Sequence, residues 1–415
     1  MPSRGRLPGG PATSFSASWV LPIDGPPIPN GVVTIAGQRI TRVGTDRFPD
    51  NTDLGRVALL PALVNAHTHL ELSYLHARIP ASARFGDWVM QVMAMRRAYP
   101  DPAHPDIIDA ARRAIADVRT SGTGLVGDVS NTLITAPLLA EAGMPARVFH
   151  ELTGFTEQDP PARVREARAR AESAQADAAR GADLRVSVAP HAPYSVSPGL
   201  FAAIREDIEA HDDAVSTVHL GENPEEVELL RHGTGALRQV LESLGRWPSD
   251  WEPPGTSPVG YLSDLGFLDS RVLAVHGVQF DGDDLSRLSG LGVTLVSCPR
   301  SNVYVGVGSP PLEAFYAMDV DVAFGTDSLA SVATLSLFDE LAEARRIAPR
   351  VPARRLLESA TRIGARALGF GDDFGTIEPG KRAALIAVQV PAGVKDVEEF
   401  LVSGVPSSAV SWVVG

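Results

Sequence analysis

Eight short apolar runs recur along the middle of this chain, with helical patterns between them. They read "VALLPALVNAH", "GTGLVGDVS", "ARVFHELTG", "LRVSVAPHAP", "AVSTVHLGE", "RVLAVHGVQ", "GVTLVSCPR" and "DVAFGTDS". Near-continuous Val, Leu, Ile and Ala marks strands buried on both faces, the condition of parallel strands covered by helices. Of the intervening segments, "HPDIIDAARRAIADVRTSG" has apolar residues at helical spacing and stops at a glycine. "PARVREARARAESAQADAARG" carries only a thin apolar stripe, as a solvent-facing helix does. This alternation predicts the α/β class and a (β/α)8 TIM barrel. With 415 residues, 44% of them hydrophobic, the chain is long enough for that barrel and a smaller appendage.

The two ends read differently. "SASWVLPIDG" and "GVVTIAGQRITRVG" near the start, and "GTIEPGKRAALIAVQV" and "SAVSWVVG" near the end, are short strands punctuated by glycine. The expectation is a small β-sandwich-like domain built from both termini, residues 1–58 with 370–415, beside a metal-dependent catalytic barrel over 59–369. A long connection from Glu222 to Asp269 contains "GRWPSDWEPPGTSP" and reads as a lid or pocket loop.

Charge and composition narrow the function. Lys and Arg number 37 against 50 Asp and Glu, a net charge of −13, which argues against nucleic acid and anionic membrane surfaces as partners. No run of roughly 18 apolar residues is present to span a bilayer. The opening "MPSRGRLPGGPATSFSASW" lacks the apolar core of a signal peptide. A cytoplasmic protein acting on a small molecule is expected, with a homodimer left open. Cys298 is the lone cysteine, which excludes an internal disulfide framework and a cysteine-rich zinc site.

Barrel chemistry sits at the C-terminal ends of the strands. The first run ends in His67 and His69, the fourth in His191, the fifth in His219, the sixth in His276 and the eighth in Asp327. Side chains at i and i+2 of a strand point the same way, so His67 and His69 can grip one ion. A bare His-x-His is weak evidence; its place among these run ends gives it weight. His67, His69, His219 and Asp327 are assigned as ligands of one divalent cation, which acidifies bound water towards about pH 7. Ligand type slightly favours Zn2+, with Fe2+ and Mn2+ as alternatives.

Other residues have two readings. Glu222, in "HLGEN", lies three residues past His219, where a carboxylate can move protons between water and substrate. Glu225 and Glu226, after Asn223-Pro224, read as helix N-terminal carboxylates. His276 is a fifth ligand or orients the attacking water; the second is preferred. Asp327 also serves as acceptor of the water proton, and its bland reading is a turn aspartate. His191 is a substrate contact or a structural histidine. The remaining histidines, His76, His104, His150, His211 and His232, read as loop, helix or packing residues.

The set "NAHTHLELS", "APHAPYS", "HLGEN", "AVHGV", "SCPRSN" and "FGTDS" resembles the amidohydrolase superfamily along nearly the whole chain. Many members of that superfamily hold two metals bridged by a carboxylated lysine on strand four. Here the only lysines are Lys381 and Lys395, outside the barrel, and strand four ends in His191, so the resemblance implies a mononuclear site. "HLGEN" with the strand-six histidine is similar to the deaminase branch. That implies hydroxide attack on an amino-bearing ring carbon, protonation of the ring nitrogen by Glu222, and release of ammonia. The other zinc deaminase type, with Cys-x-x-Cys ligands, is excluded by the lone Cys298. "HTHLELS", "FGDWV", "SPVGYL" and "CPRSN" resemble aminodeoxyfutalosine deaminases of menaquinone biosynthesis, whose substrate joins adenine, ribose and benzoate. Under that resemblance Arg300 is a candidate partner of the benzoate carboxylate or a structural ion pair. Glu71 is a ribose contact or a loop salt bridge, and Trp88, Trp247 and Trp251 are candidates for an aromatic pocket. The usual "DADL" near the C-terminus is replaced by "RAAL" at Arg382–Leu385, in the small domain. Guanine or S-adenosylhomocysteine deaminases and triazine chlorohydrolases share the same metal motifs. The non-enzyme alternative is a catalytically silent metal-binding barrel.

Overall fold

The apolar runs form two four-stranded parallel sheets. In the first, β1 (Leu63–Thr68), β2 (Thr123–Ser130), β3 (Ala146–Leu152) and β4 (Leu184–Pro190) lie in the order β4-β3-β2-β1. In the second, β5 (Ser216–Leu220), β6 (Val272–His276), β7 (Thr294–Ser297) and β8 (Val322–Phe324) lie in sequence order. The structure is a computed structural model and describes residues 12–47, 49–178, 181–248 and 251–415. The signal-peptide reading of the first residues, and the first part of the expected small domain, lie outside that set.

The closed hydrogen-bonded cylinder expected from the sequence is not formed among the described residues. The two sheets meet at narrow seams. At one, the His219 amide donates to the His191 carbonyl at 2.8 Å; at the other, the Thr326 and Asp327 amides donate to the His67 carbonyl at 3.1 and 3.0 Å. The first seam is narrow because Pro190, the last residue of β4, has no N–H to offer. The second is narrow because β8 is three residues long and gives way to Gly325. That glycine is required: a Cβ there would sit 2.6 Å from the Cβ of His67.

Strands from both ends of the chain share a five-stranded sheet, in the order Val410–Val414, Leu385–Gln389, Val57–Pro61, Trp19–Val20, Ile28–Pro29. A second sheet orders Arg39–Gly44, Val32–Ala36, Ala12–Ser16 and Asn51–Asp53. The run "VALLPALV" therefore does not form one strand. Val57–Pro61 pairs antiparallel with Leu385–Gln389, and after Ala62 the chain enters β1, which pairs parallel with β2. Leu60, Ala62, Leu63 and Ile386 join barrel residues such as Val218 and Phe324 in one apolar cluster, so the terminal sheet packs on the barrel.

The Glu222–Asp269 connection is a second correction. Half of it is helical: Pro224–His232, Ala236–Ser243 and Pro258–Asp264. Asn223 and Ser257 cap the first and third helices through their side chains, each followed by proline at the first helical position. Trp247 and Trp251 pack against Phe155, ring centroids 6.2 and 5.6 Å apart; residues 249–250 between them lie outside the described set. The helix Pro160–Ala178 buries only Val164, Ala167, Ala171 and Ala178, the thin stripe its sequence predicts.

Arg147, buried at the N-terminal end of β3, ties the base of the barrel together. Its guanidinium donates to the Leu368 carbonyl (2.7 Å), Ser187 Oγ (2.7 Å) and the Asp213 carbonyl (3.1 Å). Burial holds its pKa down at about 10, still charged at neutral pH. Arg147→Met should leave these acceptors unpaired and lower unfolding free energy by about 3 kcal/mol, read by urea denaturation. An unchanged midpoint would remove Arg147 from the stabilising set.

Candidate metal centre and cavity

β1, β5 and the turn after β8 bring His67, His69, His219 and Asp327 to one place. Donor atoms of the three histidines lie within 4.8 Å of one another. The Nε2 atoms of His69 and His219 are 3.2 Å apart, and Asp327 Oδ1 is 3.7 Å from His69 Nε2 and 4.0 Å from His67 Nε2. Two ligands bound tetrahedrally to zinc at about 2.0–2.1 Å stand about 3.3 Å from each other, so the spacing suits one small cation. His67 supplies the test of fit. It is buried, and neither ring nitrogen has a hydrogen-bond partner. An orphaned buried imidazole is costly unless something accepts its lone pair. Burial, and then the neighbouring His69, His219 and His276, hold its pKa well below the ordinary range, so the ring is neutral, as a ligand must be.

The neighbours orient these donors. His219 Nδ1–H donates to the His191 carbonyl at 3.1 Å, with Glu151 Oε1 3.4 Å away, which leaves the Nε2 lone pair facing His69. Asp327 Oδ2 accepts from Ser301 Oγ at 2.6 Å and Ser331 Oγ at 3.3 Å, which leaves Oδ1 for the centre. Asp128 Oδ1 accepts from Thr68 Oγ1 at 3.0 Å and from the Leu70 amide at 2.8 Å, so it brackets His69 on both sides. Asp327 and His276 have φ of 61° and 80°, left-handed values that cost non-glycine residues about 1–3 kcal/mol each.

His276 Nδ1 accepts from Asn302 Nδ2 at 3.0 Å. Its proton therefore sits on Nε2, 3.7 Å from Glu222 Oε1. Glu222 is buried, and burial, then the charges of Asp327 and Glu226, raise its pKa well above the carboxylate range. His191 donates from Nδ1 to Ser195 Oγ at 2.6 Å, because that hydroxyl is itself donated to the Ala192 carbonyl. Its Nε2 remains free, and the ring lines the cavity.

That cavity measures about 590 Å3. His69, His191, His219, Glu222, His276 and Asp327 form its floor; Phe85, Trp88, Val89 and Leu237 are among its apolar walls. The indole N–H of Trp88 has no partner. Two expected substrate contacts stand elsewhere. Arg300 is not among the lining residues: its guanidinium donates to the carbonyl and hydroxyl of Thr334, both at 3.2 Å, and lies 3.5 Å from Glu340. Glu71 is occupied by Ser130 Oγ and Thr132 Oγ1, both at 2.7 Å, and by two backbone amides of the loop after β2.

The sequence reading followed histidines and passed over Asp128, Glu151, Ser301 and Asn302. Asp128 and Glu151 carried the same signal, a polar residue closing an apolar run. Glu226, read as a helix-end carboxylate, is buried and accepts the Glu222 amide at 3.2 Å. Burial pushes its pKa up to about 8. His150 and His211 donate to backbone carbonyls, in line with packing roles.

The parallel strands, with their donor set at the strand ends, define a barrel-type hydrolase equipped to hold a metal. Residues 58–409 match the amidohydrolase family, and the chain belongs to it; it is a hydrolase acting on C–N bonds. It is 30% identical over 366 residues to the aminodeoxyfutalosine deaminase of Deinococcus radiodurans, covering 83% of each chain. Its fold matches the Helicobacter pylori aminofutalosine deaminase in complex with methylthio-coformycin, with TM-score 0.82, 25% identity and coverage of 94% of this chain and 95% of that one. An adenosine deaminase from Xanthomonas campestris with bound zinc matches with TM-score 0.80 and 27% identity, over 96% of this chain and 90% of that one. No helix among the described residues is long and apolar enough to cross a membrane.

Asp128→Ala should loosen His69 and weaken metal affinity about 10- to 100-fold, measured by chelator competition on the folded protein. For Glu226 the sign is set by its raised pKa. Between the ordinary 4.5 and about 8 the folded state keeps a proton that the unfolded state has lost, so stability falls as pH rises through that window. Glu226→Gln should flatten this slope when denaturant unfolding is compared at the two ends of the window.

Proposed function

We propose that this protein hydrolytically deaminates an adenosine-like nucleoside, with 6-amino-6-deoxyfutalosine of menaquinone biosynthesis as its substrate. The observation that carries the reading is Glu222: a carboxyl buried on the same cavity floor as the metal donors, 3.7 Å from His276 Nε2, with its pKa raised well above the ordinary range by burial. The likeness to the Deinococcus radiodurans and Helicobacter pylori enzymes supports the substrate.

His67, His69, His219 and Asp327 hold one divalent cation, and three imidazoles with one carboxylate favour Zn2+ over Mn2+. When bound, the cation supplies the Lewis acidity that makes water nucleophilic near neutral pH. The remaining steps belong to the side chains. The Asp327 carboxylate takes the proton that the attacking water gives up. His276 Nε2–H holds the water oxygen in line with the amino-bearing carbon. Glu222 gives its proton to the adjacent ring nitrogen, so the carbon becomes tetrahedral without charge building on the ring. The proton on Asp327 then passes to the amine, ammonia leaves as the new hydroxyl becomes a carbonyl, and the hydroxyl proton returns to Glu222. Serine contacts on Asp327 Oδ2 and the Glu226 contact on the Glu222 backbone keep the two proton carriers in place. Residues 1–58 with 370–415 are proposed as the accessory β domain, and 59–369 as the catalytic unit.

Ammonia release is the direct assay, on aminodeoxyfutalosine, adenosine, methylthioadenosine and guanine. Glu222→Gln should keep its metal by elemental analysis and lose kcat by about 1000-fold. Undiminished turnover with a full metal complement would overturn the assignment of Glu222.

A further inference from the structure

Three parts of the cavity meet at one amide. Asn131, the residue after β2, is half-buried and lines the cavity. Its side-chain oxygen accepts from Arg96 Nη1 at 3.0 Å. Its side-chain NH2 donates to Glu151 Oε2 at 2.8 Å and to the Glu151 carbonyl at 3.3 Å. Its backbone N–H donates to Glu71 Oε1 at 3.2 Å. Arg96 Nη2 stands 3.5 Å from the same Glu71 oxygen, so Arg96, Asn131 and Glu71 close a ring.

Each partner leads to a different working part. Arg96 lies in the last turn of helix Phe85–Ala98, whose Trp88, Val89, Val92 and Met93 line the cavity. That helix buries only Phe85 and Val92, so its polar tie at the C-terminal end matters to its placement. Glu71 is the second residue of the 3-10 turn Leu70–Leu75, which starts beside His69. Glu151, near the end of β3, sets Oε1 3.4 Å from His219 Nδ1.

Only an amide suits this position. A guanidinium donates and never accepts, whereas an ionised carboxylate only accepts. Asn131 faces the first with oxygen and the second with nitrogen. An aspartate of the same shape would set a second carboxylate against Glu151. An apolar side chain would leave Glu151 Oε2 buried without its donor.

We propose that Asn131 is a positioning residue: its amide holds the Glu151 carboxylate against His219 and, through Arg96, seats helix Phe85–Ala98 over the cavity. The inference rests on the metal-centre assignment; the deaminase reading enters only its effect on turnover.

The test is a donor–acceptor swap. Asn131→Asp turns a carboxylate towards Glu151. Glu151→Gln turns an NH2 towards either Asn131 or the His219 N–H, whichever way the new amide lies. Each single variant should weaken Zn2+ affinity about 10- to 100-fold in chelator competition. Each should also shift the visible absorption bands of the Co2+-loaded protein. The double variant, Asn131→Asp with Glu151→Gln, rebuilds the bond in the reverse direction, the new amide donating to the new carboxylate. It should return affinity to within about threefold of wild type and restore the Co2+ bands. The kcat for ammonia release from metal-saturated protein should fall in both single variants and recover in the double. Single variants with wild-type affinity and bands, or a double variant no better than the weaker single, would overturn the proposal. Should a single variant fail to fold, a double variant that folds with wild-type bands upholds it, and one that does not rejects it. A wild type that holds its cation but deaminates no nucleoside ends the deaminase reading, while affinity and bands still decide Asn131. A wild type that binds no divalent cation rejects both.

Discussion

The seam between β1 and β8 is the constraint on which the site depends. One carbonyl, that of His67, accepts both the Thr326 and the Asp327 amides. Asn65 and Thr326 add a reciprocal pair, side chain to hydroxyl at 2.8 Å and amide to side chain at 3.1 Å. These bonds hold Asp327 in a left-handed conformation that costs a non-glycine residue about 1–3 kcal/mol. The seam closes only because residue 325 has no side chain to meet His67. The distance between the first and last ligands is thus set by backbone hydrogen bonds that do not involve any cation.

Around that seam, burial does two opposite things to charge. It keeps the imidazoles of His67, His219 and His276 neutral and so available as lone-pair donors or N–H donors. It also raises the pKa of Glu222 and of Glu226, the second to about 8. A floor assembled from His69, His191, His219, Glu222, His276 and Asp327 avoids a large buried net charge by this route.

Much of this was legible in the primary structure because it follows from short-range periodicity. Alternation of β and helical runs announced parallel strands, and strand ends announced where His67, His69, His219, His276 and Asp327 would gather. The misreadings have local causes. "VALLPALV" looked like one strand because apolar content cannot register a change of partner at Ala62. The Glu222–Asp269 stretch looked like a loop because the segment "GRWPSDWEPPGTSP" within it is rich in Trp, Pro and Gly, although Asn223-Pro224 and Ser257-Pro258 are helix-start signals. Arg300 drew attention through its neighbours in "CPRSN", yet those neighbours, Ser301 and Asn302, are the ones that touch Asp327 and His276.

The sequence by itself determined which residues end each strand and on which side of the strand they lie, since both follow from a two-residue repeat and a fixed chain direction. Only the tertiary structure decided which ends meet. Asp128 and Glu151 sit on strands that carry no histidine ligand. Their roles arise from how two sheets curve towards each other and how helices from different connections lean over the opening. Such packing depends on contacts between residues far apart in the chain, and no local pattern encodes the distance between them.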